Sequence, residues 1–326
     1  MFKVSFIPVS ADVECAEIQR LCALQPKEAA RQFEKAFTNL QLGSNKQRNA
    51  IKENIKKGGG LIGSGRGWAL IHAFAANDRE LCVKALLDKG AHIEARDEGG
   101  NTPLHIAATK GCVSTTEVLL GKGANHNLRN KCGDTALMSA TMNGHESVVR
   151  VLLRRGADIE TRDKDQNTLL MIAVTDKLTT LVNLFLENKA NIEAQNKLGR
   201  TALMIAVLTG DQQMTKLLLD KGANIEAKDK SGTTPLMHAA AKENVNIMDL
   251  LLLRGANIEA TNKSGQSALS LAKAKNVYRA QVVNRLLIAH ARAARSNSIT
   301  SEASKGSGAI GSSDKLVIGF LPHYYA

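Results

Sequence analysis

One seven-residue pattern recurs every 33 residues and constrains the fold of this chain more than any other feature. It reads TPLHIAA, TALMSAT, TLLMIAV, TALMIAV, TPLMHAA and SALSLAK, starting at Thr102, Thr135, Thr168, Thr201, Thr234 and Ser267. Counting back one period reaches ALIHAFA at Ala69, so the pattern predicts seven units within residues 64–294. A unit of this length cannot bury its own apolar face, and we therefore expect the units to stack into a solenoid.

A glycine-alanine pair follows an apolar cluster at the same phase of most units. The pairs begin at Gly90, Gly123, Gly156, Gly222 and Gly255. Glycine just past the last turn of a helix accepts a left-handed conformation that a side chain resists, so each pair marks a helix end. The segment that follows, such as NIEAKDKSGT, contains the Asp, Asn and Gly residues typical of turns. Each unit is therefore predicted to form a helix, a short turn, a second helix and a projecting hairpin-like loop.

The period and these motifs resemble the ankyrin repeat, and the closest copy is DEGGNTPLHIAATKGCVSTTEVLLGKGA at residues 97–124. The resemblance implies an all-α ankyrin-repeat solenoid of helix-turn-helix units with β-hairpin-like loops. It also implies that loops and first helices line a concave surface, and that the chain binds other proteins. Aromatic residues make up only 3% of the chain, which favours thin core layers of Ala, Leu, Ile and Val.

Residues 1–63 precede the repeats and differ from them in pattern. The stretch QPKEAARQFEKAFTNLQLG places Ala30, Phe33, Phe37 and Leu40 on one helical face. We expect a helical N-terminal cap, because a solenoid needs a polar-faced unit at its end; an independent functional domain is the alternative. The glycines of KKGGGLIGSGRG match the spacing of a dinucleotide-binding loop, but no strand precedes them and the P-loop lysine is missing. We interpret this stretch as a joint.

Residues 295–326 form a third region. The stretch SNSITSEASKGSGAIGSSD is rich in Ser and Gly and predicts a flexible linker. The final KLVIGFLPHYYA is apolar and aromatic. It predicts either a short docking motif or a segment that folds back onto the repeats.

The unit at residues 163–195 departs from the others at three glycine positions, where it carries Gln166, Lys177 and Lys189. If the backbone keeps a left-handed conformation at these positions, each substitution costs about 1 kcal/mol. We expect this unit to be the weakest of the array.

Residues for catalysis or metal binding do not converge in the sequence. The TPLH slot holds His72 and His105 but methionine in four other units, so we interpret this histidine as structural. No Cys/His spacing suits zinc, and no G-x-S-x-G elbow occurs. We expect no enzymatic activity, no cofactor and no metal site.

The loop tips carry a recurring pair of basic positions that flank an Asp or Asn. Their basic residues, taken as candidate partner-binding residues, are Arg129, Lys131, Arg162, Lys164, Lys197, Lys228, Lys230 and Lys263. The three tip residues of six loops together carry a net charge of +5. A row of cations along one edge attracts an acidic partner and speeds its encounter.

Glutamates near these tips support an alternative. They are Glu94, Glu160, Glu193, Glu226 and Glu259, and they bring the tip charge to zero. Residues two apart in an extended arm point the same way, so these glutamates are placed to pair with lysines of adjacent loops. Such a charge ladder is a scaffold that contributes only a few tenths of a kcal/mol per exposed pair. The sequence leaves the binding edge and the ladder open.

Two further candidate partner sites lie off the tips. Trp68 is the only tryptophan and occupies a slot that is polar in the other units, so we expect either an interface anchor or a side chain covered by residues 1–63. The first-helix surface around Met142 and Leu208 is the second candidate. Nucleic acid is disfavoured as a partner, because the tips offer neither aromatic stacking platforms nor a groove-binding basic helix.

These patterns together predict a non-enzymatic adaptor that binds another protein as a monomer. The five cysteines form no C-x-x-C pair and no even framework, which favours the cytoplasm, and no apolar run is long enough to span a membrane. The alternative is a secreted bacterial effector of the same architecture, acting on a host protein in the host-cell cytosol.

Overall fold

A computed structural model describes residue 20, residues 70–273, residues 284–289 and residue 291. The repeats contribute a first helix each: α1 (Leu70–Ala75), α3 (Pro103–Lys110), α5 (Ala136–Met142), α7 (Leu169–Thr175), α9 (Ala202–Thr209), α11 (Pro235–Ala241) and α13 (Ala268–Lys273). The second helices are α2 (Glu80–Asp88), α4 (Val113–Gly121), α6 (Glu146–Arg154), α8 (Thr179–Glu187), α10 (Gln212–Asp220) and α12 (Val245–Leu253). The described part thus holds six helix pairs and the first helix of a seventh, and residues 284–289 are also helical.

A buried threonine begins five of the first helices. The Oγ1 atoms of Thr102, Thr135, Thr168, Thr201 and Thr234 each accept a hydrogen bond from the amide three residues later. This cap satisfies one of the amides that a helix start leaves without a partner, and it contributes about 1 kcal/mol. The recurring threonine of the sequence pattern is therefore the N-cap of five of the seven first helices.

Small apolar side chains fill the interface between neighbouring units. First helices pack against the first helices of adjacent repeats, and α4 likewise packs against α2 and α6. Ala107 and Ala108 on α3 are fully buried, while Phe74 and Phe185 are among the largest buried side chains. Each unit therefore completes its core against its neighbours, as the repeat pattern predicts.

The loops between units close on themselves as short hairpin-like turns. In one loop the Asn130 amide donates to the Asp134 carbonyl at 3.0 Å, and the same bond recurs in the next loop from Asp163 to Asn167. Isolated antiparallel β-bridges join Arg162 to Thr168 and Thr261 to Ser267. The hairpin-like loops expected from the sequence are confirmed.

The unit at residues 163–195 keeps the backbone of its neighbours without their glycines. The φ angles of Gln166, Lys177 and Lys189 are 62°, 57° and 64°. The left-handed conformation expected at these three residues is confirmed. The position between the two helices, where this unit carries Lys177, is not glycine in every other unit. Asp78 and Glu243 occupy it in two units and also have positive φ. What distinguishes this unit is that all three slots are strained together.

The predicted cap at residues 1–63 and the tail at residues 295–326 lie outside the described residues, apart from residue 20. The boundaries drawn for these regions stay predictions. In the part of the chain that the structure describes, no helix is long and apolar enough to cross a bilayer.

Candidate functional site

The main chain joins adjacent loops along one edge at four of the five tip lysines, with Lys164 as the exception. Amides at the tips donate to the preceding loop, from Lys131 to the Gly99 carbonyl at 2.9 Å and from Lys230 to the Leu198 carbonyl at 3.1 Å. Lys197 and Lys263 make the same bond at 2.9 Å to residues 165 and 231. The loop tips are therefore held in a fixed order by backbone hydrogen bonds before any side chain is considered.

Side chains at the first tip position reinforce this edge. We call this position, which comprises Arg96, Arg129, Arg162, Gln195, Lys228 and Thr261, the first tip row. The Arg96 Nη1 atom donates to the Arg129 carbonyl at 2.9 Å, and Arg129 Nη1 donates to the Arg162 carbonyl at 3.1 Å. Arg162 Nη1 reaches the Gln195 carbonyl at 2.8 Å, and each of the three arginines also bonds a carbonyl of its own loop.

The side-chain hydrogen bonding of the first tip row changes along the chain. Gln195 continues the pattern with an Nε2 bond of 3.2 Å to the Lys228 carbonyl. Lys228 is exposed, and its side chain donates to no residue that the structure describes. Of the predicted partner-binding residues in this row, Arg129 and Arg162 are thus engaged in holding loops together, whereas Lys228 is available.

The second tip position presents a different surface. We call this position, which comprises Glu98, Lys131, Lys164, Lys197, Lys230 and Lys263, the second tip row. All five lysines are exposed. None of them forms an ion pair with a carboxylate of residues 70–273, and the only side-chain bond is a long one of 3.5 Å from Lys164 Nζ to the Lys131 carbonyl. The lysine ammonium groups therefore remain available to a ligand.

The glutamates near the tips bridge adjacent units, but not through lysine. The Oε1 atom of Glu94 accepts from the Asn125 amide at 2.7 Å, and Glu160 accepts from Asn191 at the same distance. Glu193 and Glu226 repeat this contact with the next unit. The expectation of a Glu–Lys charge ladder is wrong for these four residues. A carboxylate gains a short, well-aligned bond from a fixed amide, whereas a mobile lysine would have to lose side-chain entropy to pair with it.

The first-helix face carries an apolar strip. Met142 at the end of α5 is 42% exposed, and Leu208 on α9 occupies the same slot two units later and is half-buried. One turn earlier in the helices, Ile106, Ile172 and Ile205 are also half-buried. The two residues predicted from sequence are therefore members of a longer apolar strip that runs across several units.

A polar cluster that the sequence analysis missed lies beside this strip. The His238 Nε2 and Asp229 Oδ2 atoms are 3.0 Å apart, and Arg200 approaches closely enough to disfavour a charge on His238. Burial, more than Arg200, lowers the pKa of His238, while Asp229 raises it. In the sequence, Arg200 and His238 each differ in residue type from the residues at the same position of the other units, and this difference was the available signal.

The histidines of the TPLH slot have structural hydrogen bonds. His105 Nδ1 lies 2.8 Å from Thr102 Oγ1, and its Nε2 lies 3.0 Å from the Asp134 carbonyl of the next unit. His72 Nε2 lies 3.0 Å from the Ala95 carbonyl. Burial lowers the pKa of His105, so the neutral ring is favoured. The structural role predicted for these histidines is confirmed. The His105 ring also bonds to the neighbouring repeat.

Two other expectations concern Trp68 and metal binding. Trp68 falls outside them, so its role as an interface anchor stays a prediction. Among the residues that are described, no group of three His, Cys, Asp or Glu side chains converges as a metal site would require.

Comparisons with known proteins agree with this geometry. A family model described as ankyrin repeats matches residues 36–130, 116–196 and 170–262, so the first match begins inside the predicted cap. The human ASB11 ankyrin repeat domain is 31% identical with a TM-score of 0.57, over 68% of this chain and 97% of that one. The ankyrin repeat domain of Bcl-3, a member of the IkappaB family, is 27% identical with a TM-score of 0.62, over 68% and 99%. A comparison with curated protein sequences finds no match.

Proposed function

This chain belongs to the ankyrin-repeat family, and we propose that it is a non-enzymatic adaptor that binds an acidic surface of another protein. Ankyrin repeat domains are protein–protein interaction modules, and the first helices and loops are the faces that the family uses. The observation that carries the acidic partner is the second tip row, where five exposed lysines lack a carboxylate partner among residues 70–273.

The backbone of this row favours binding. Because the amides of Lys131, Lys197 and Lys230 are bonded to the preceding loops, the lysine Cα atoms hold their spacing without a ligand. A partner then has only the lysine side chains to order, which lowers the entropic cost of association. Cations in a row also steer an acidic partner during encounter, so the association rate carries most of the electrostatic effect.

The setting of this binding is also part of the proposal. We place the protein in a reducing compartment such as the cytoplasm, because the described cysteines Cys82, Cys112 and Cys132 form no disulfide. Action as a monomer is part of the same proposal. Delivery into a host cell stays a prediction from the sequence.

An affinity capture with charge-reversed full-length chains tests the proposal. One bait is the unchanged chain, and a second carries Lys164→Glu, Lys197→Glu and Lys230→Glu. We expect at least one protein with an acidic surface to be captured by the unchanged chain and lost from the second bait.

A matched control separates a local effect from a change in net charge. Lys84 and Lys216 lie exposed on second helices and Lys221 directly follows α10, so Lys84→Glu, Lys216→Glu and Lys221→Glu change the charge equally away from the tips. This control should retain the partners that the tip variant loses. If both baits capture the same set, the tip lysines are scaffold and the proposed acidic partner is refuted.

A further inference from the structure

Arg200 occupies a slot that in two other units, those of Asn101 and Asn167, links one loop to the next. In those units an asparagine at this position accepts a side-chain hydrogen bond from the following loop. Asn130 Nδ2 donates to Asn101 Oδ1 at 2.9 Å, and Asn196 Nδ2 donates to Asn167 Oδ1 at 2.8 Å. At the slot of Arg200 the following loop carries Asp229 where the other two pairs have a donating asparagine, and a carboxylate cannot donate, so the matching bond does not form.

The carboxylate that faces this slot from the next loop is already engaged. Asp229 Oδ1 accepts from the Ser231 and Thr233 amides at 2.8 and 2.9 Å, and Oδ2 lies 3.0 Å from His238 Nε2. No ion pair joins Asp229 to Arg200 in the structure. The Asp229 carboxylate is bonded to residues of its own unit and not to the Arg200 guanidinium.

The guanidinium of Arg200 consequently has no acceptor within residues 70–273. Its Nε atom is out of contact with solvent and makes no hydrogen bond. The side chain as a whole is only half-buried, so part of it faces solvent. Burying a charged donor without a partner is unfavourable, and such a site gains when a ligand supplies the missing acceptor.

The surroundings define what kind of ligand fits. Helix α9 begins two residues after Arg200 and carries the half-buried Ile205 and Leu208 of the apolar strip. The exposed lysines 197 and 230 stand at the tips of the loop that holds Arg200 and of the following loop. A planar guanidinium matches a carboxylate in a two-bond geometry that an ammonium cannot reproduce. The combination favours a carboxylate with an apolar neighbour.

We propose that Arg200 is the anchor for one Asp or Glu side chain of the partner protein, in a segment whose adjacent apolar residue packs on Ile205 and Leu208. This inference rests on the proposed function and names the chemistry of one contact within it. It differs from the tip lysines in kind, because Arg200 recognises a single carboxylate at short range, whereas the second tip row attracts acidic surface at long range.

Selection from a phage-displayed library of random peptides tests the anchor. The bait is the full chain, and we expect the selected peptides to place Asp or Glu next to an apolar residue. Binding of these peptides should weaken by about 30-fold in Arg200→Asn, which corresponds to about 2 kcal/mol. Arg200→Lys should recover only part of this loss, because it restores the charge without the two-bond geometry.

A control and a second measurement guard against misreading the result. Arg155→Asn removes an exposed arginine just after α6 and should leave peptide binding unchanged. The melting temperature of Arg200→Asn should change little, since the Arg200 guanidinium makes no hydrogen bond within residues 70–273. A marked fall would assign Arg200 a structural role and overturn the inference.

The two proposals fail in distinguishable ways. Peptides that bind the unchanged chain and Arg200→Asn equally would overturn the anchor, while leaving a protein-binding surface elsewhere on the repeats. Failure to select any peptide on the full chain would overturn the anchor and count against the proposed function as well.

Discussion

The two tip rows lie two residues apart on the same loop edge, yet their side chains bond differently. In the first tip row, the guanidinium of Arg129 donates to a carbonyl of its own loop and to the Arg162 carbonyl of the next. In the second tip row, the amide of Lys131 is bonded to the preceding loop while its ammonium group is exposed without a carboxylate partner in residues 70–273.

The charge of a residue therefore does not reveal its role in a repeat array. An arginine can satisfy two carbonyls with one rigid group, so it stabilises the edge from the first tip position. A lysine at the second position contributes its backbone to the edge and leaves its charge to solvent. The first row therefore builds the surface, and the second row is the part that a partner can use.

The largest expected effect comes from the backbone ladder beneath both rows. A Cβ added at Gly199 would lie 2.6 Å from the main-chain nitrogen of Lys230, whereas one added at Gly222 would meet nothing within 4 Å. Both glycines have positive φ, 75° and 88°. We expect Gly199→Ala to lower the free energy of unfolding by about 3 kcal/mol and Gly222→Ala by about 1 kcal/mol, in urea titrations of the full chain.

The comparison between these two variants isolates the loop contact, because both carry the same backbone strain. Equal losses would mean that adjacent loops separate at little cost. In that case the backbone would not fix the spacing of the second tip row.

A smaller effect should distinguish the two rows directly. Replacing Arg129 and Arg162 together by alanine removes two charged hydrogen bonds between loops, and we expect a loss of about 2 kcal/mol in the free energy of unfolding. The pair Lys164→Ala and Lys197→Ala should cost less than about 0.5 kcal/mol, as exposed positions usually do. Thermal melting of both double variants is sufficient. If the lysine pair destabilises the chain as much as the arginine pair, the two rows are not distinct.

The smallest effect concerns the unit at residues 163–195, which the Arg162 side chain links to the loop at Gln195. Three residues in left-handed conformation cost about 3 kcal/mol together, but adjacent units share an interface and open largely together, so the amides of this unit should exchange with solvent only about tenfold faster than those of residues 196–228. Native-state hydrogen exchange measures this, and slower exchange in residues 163–195 would refute it. Changing Gln166, Lys177 and Lys189 to glycine should remove the difference.

Much of the fold was predictable because its determinants are local and repeated. The cap at Thr102 and the left-handed position at Gly111 depend on a few consecutive residues, so they are visible in the sequence of each unit. The positions of Gln166, Lys177 and Lys189 within the 33-residue repeat also identified them as strained. At these three residues the position within the repeat, and not the residue type, indicated the conformation.

The candidate site was less predictable, because its bonds join residues about 30 positions apart. Nothing local reveals that Glu94 accepts from the amide of Asn125 rather than from a lysine, or that Arg129 reaches the next loop. The surroundings of Arg200 include Asp229 and His238 of the next unit, and Arg200 approaches these two residues only when the units stack. Predicting such contacts requires the geometry between units, which a single repeat does not contain.

Association kinetics test most directly whether the second tip row attracts an acidic partner. The variant with Lys164→Glu, Lys197→Glu and Lys230→Glu reverses the charge at three tips, so association with a captured partner should slow tenfold or more at low salt. Added salt should shrink the difference, because exposed charges are screened beyond about 8 Å at physiological ionic strength. The melting temperature should change little, since Glu160, Glu193 and Glu226 bond to amides and not to these lysines. A fully retained, salt-insensitive association rate would contradict the claim and leave the first-helix face as the remaining candidate.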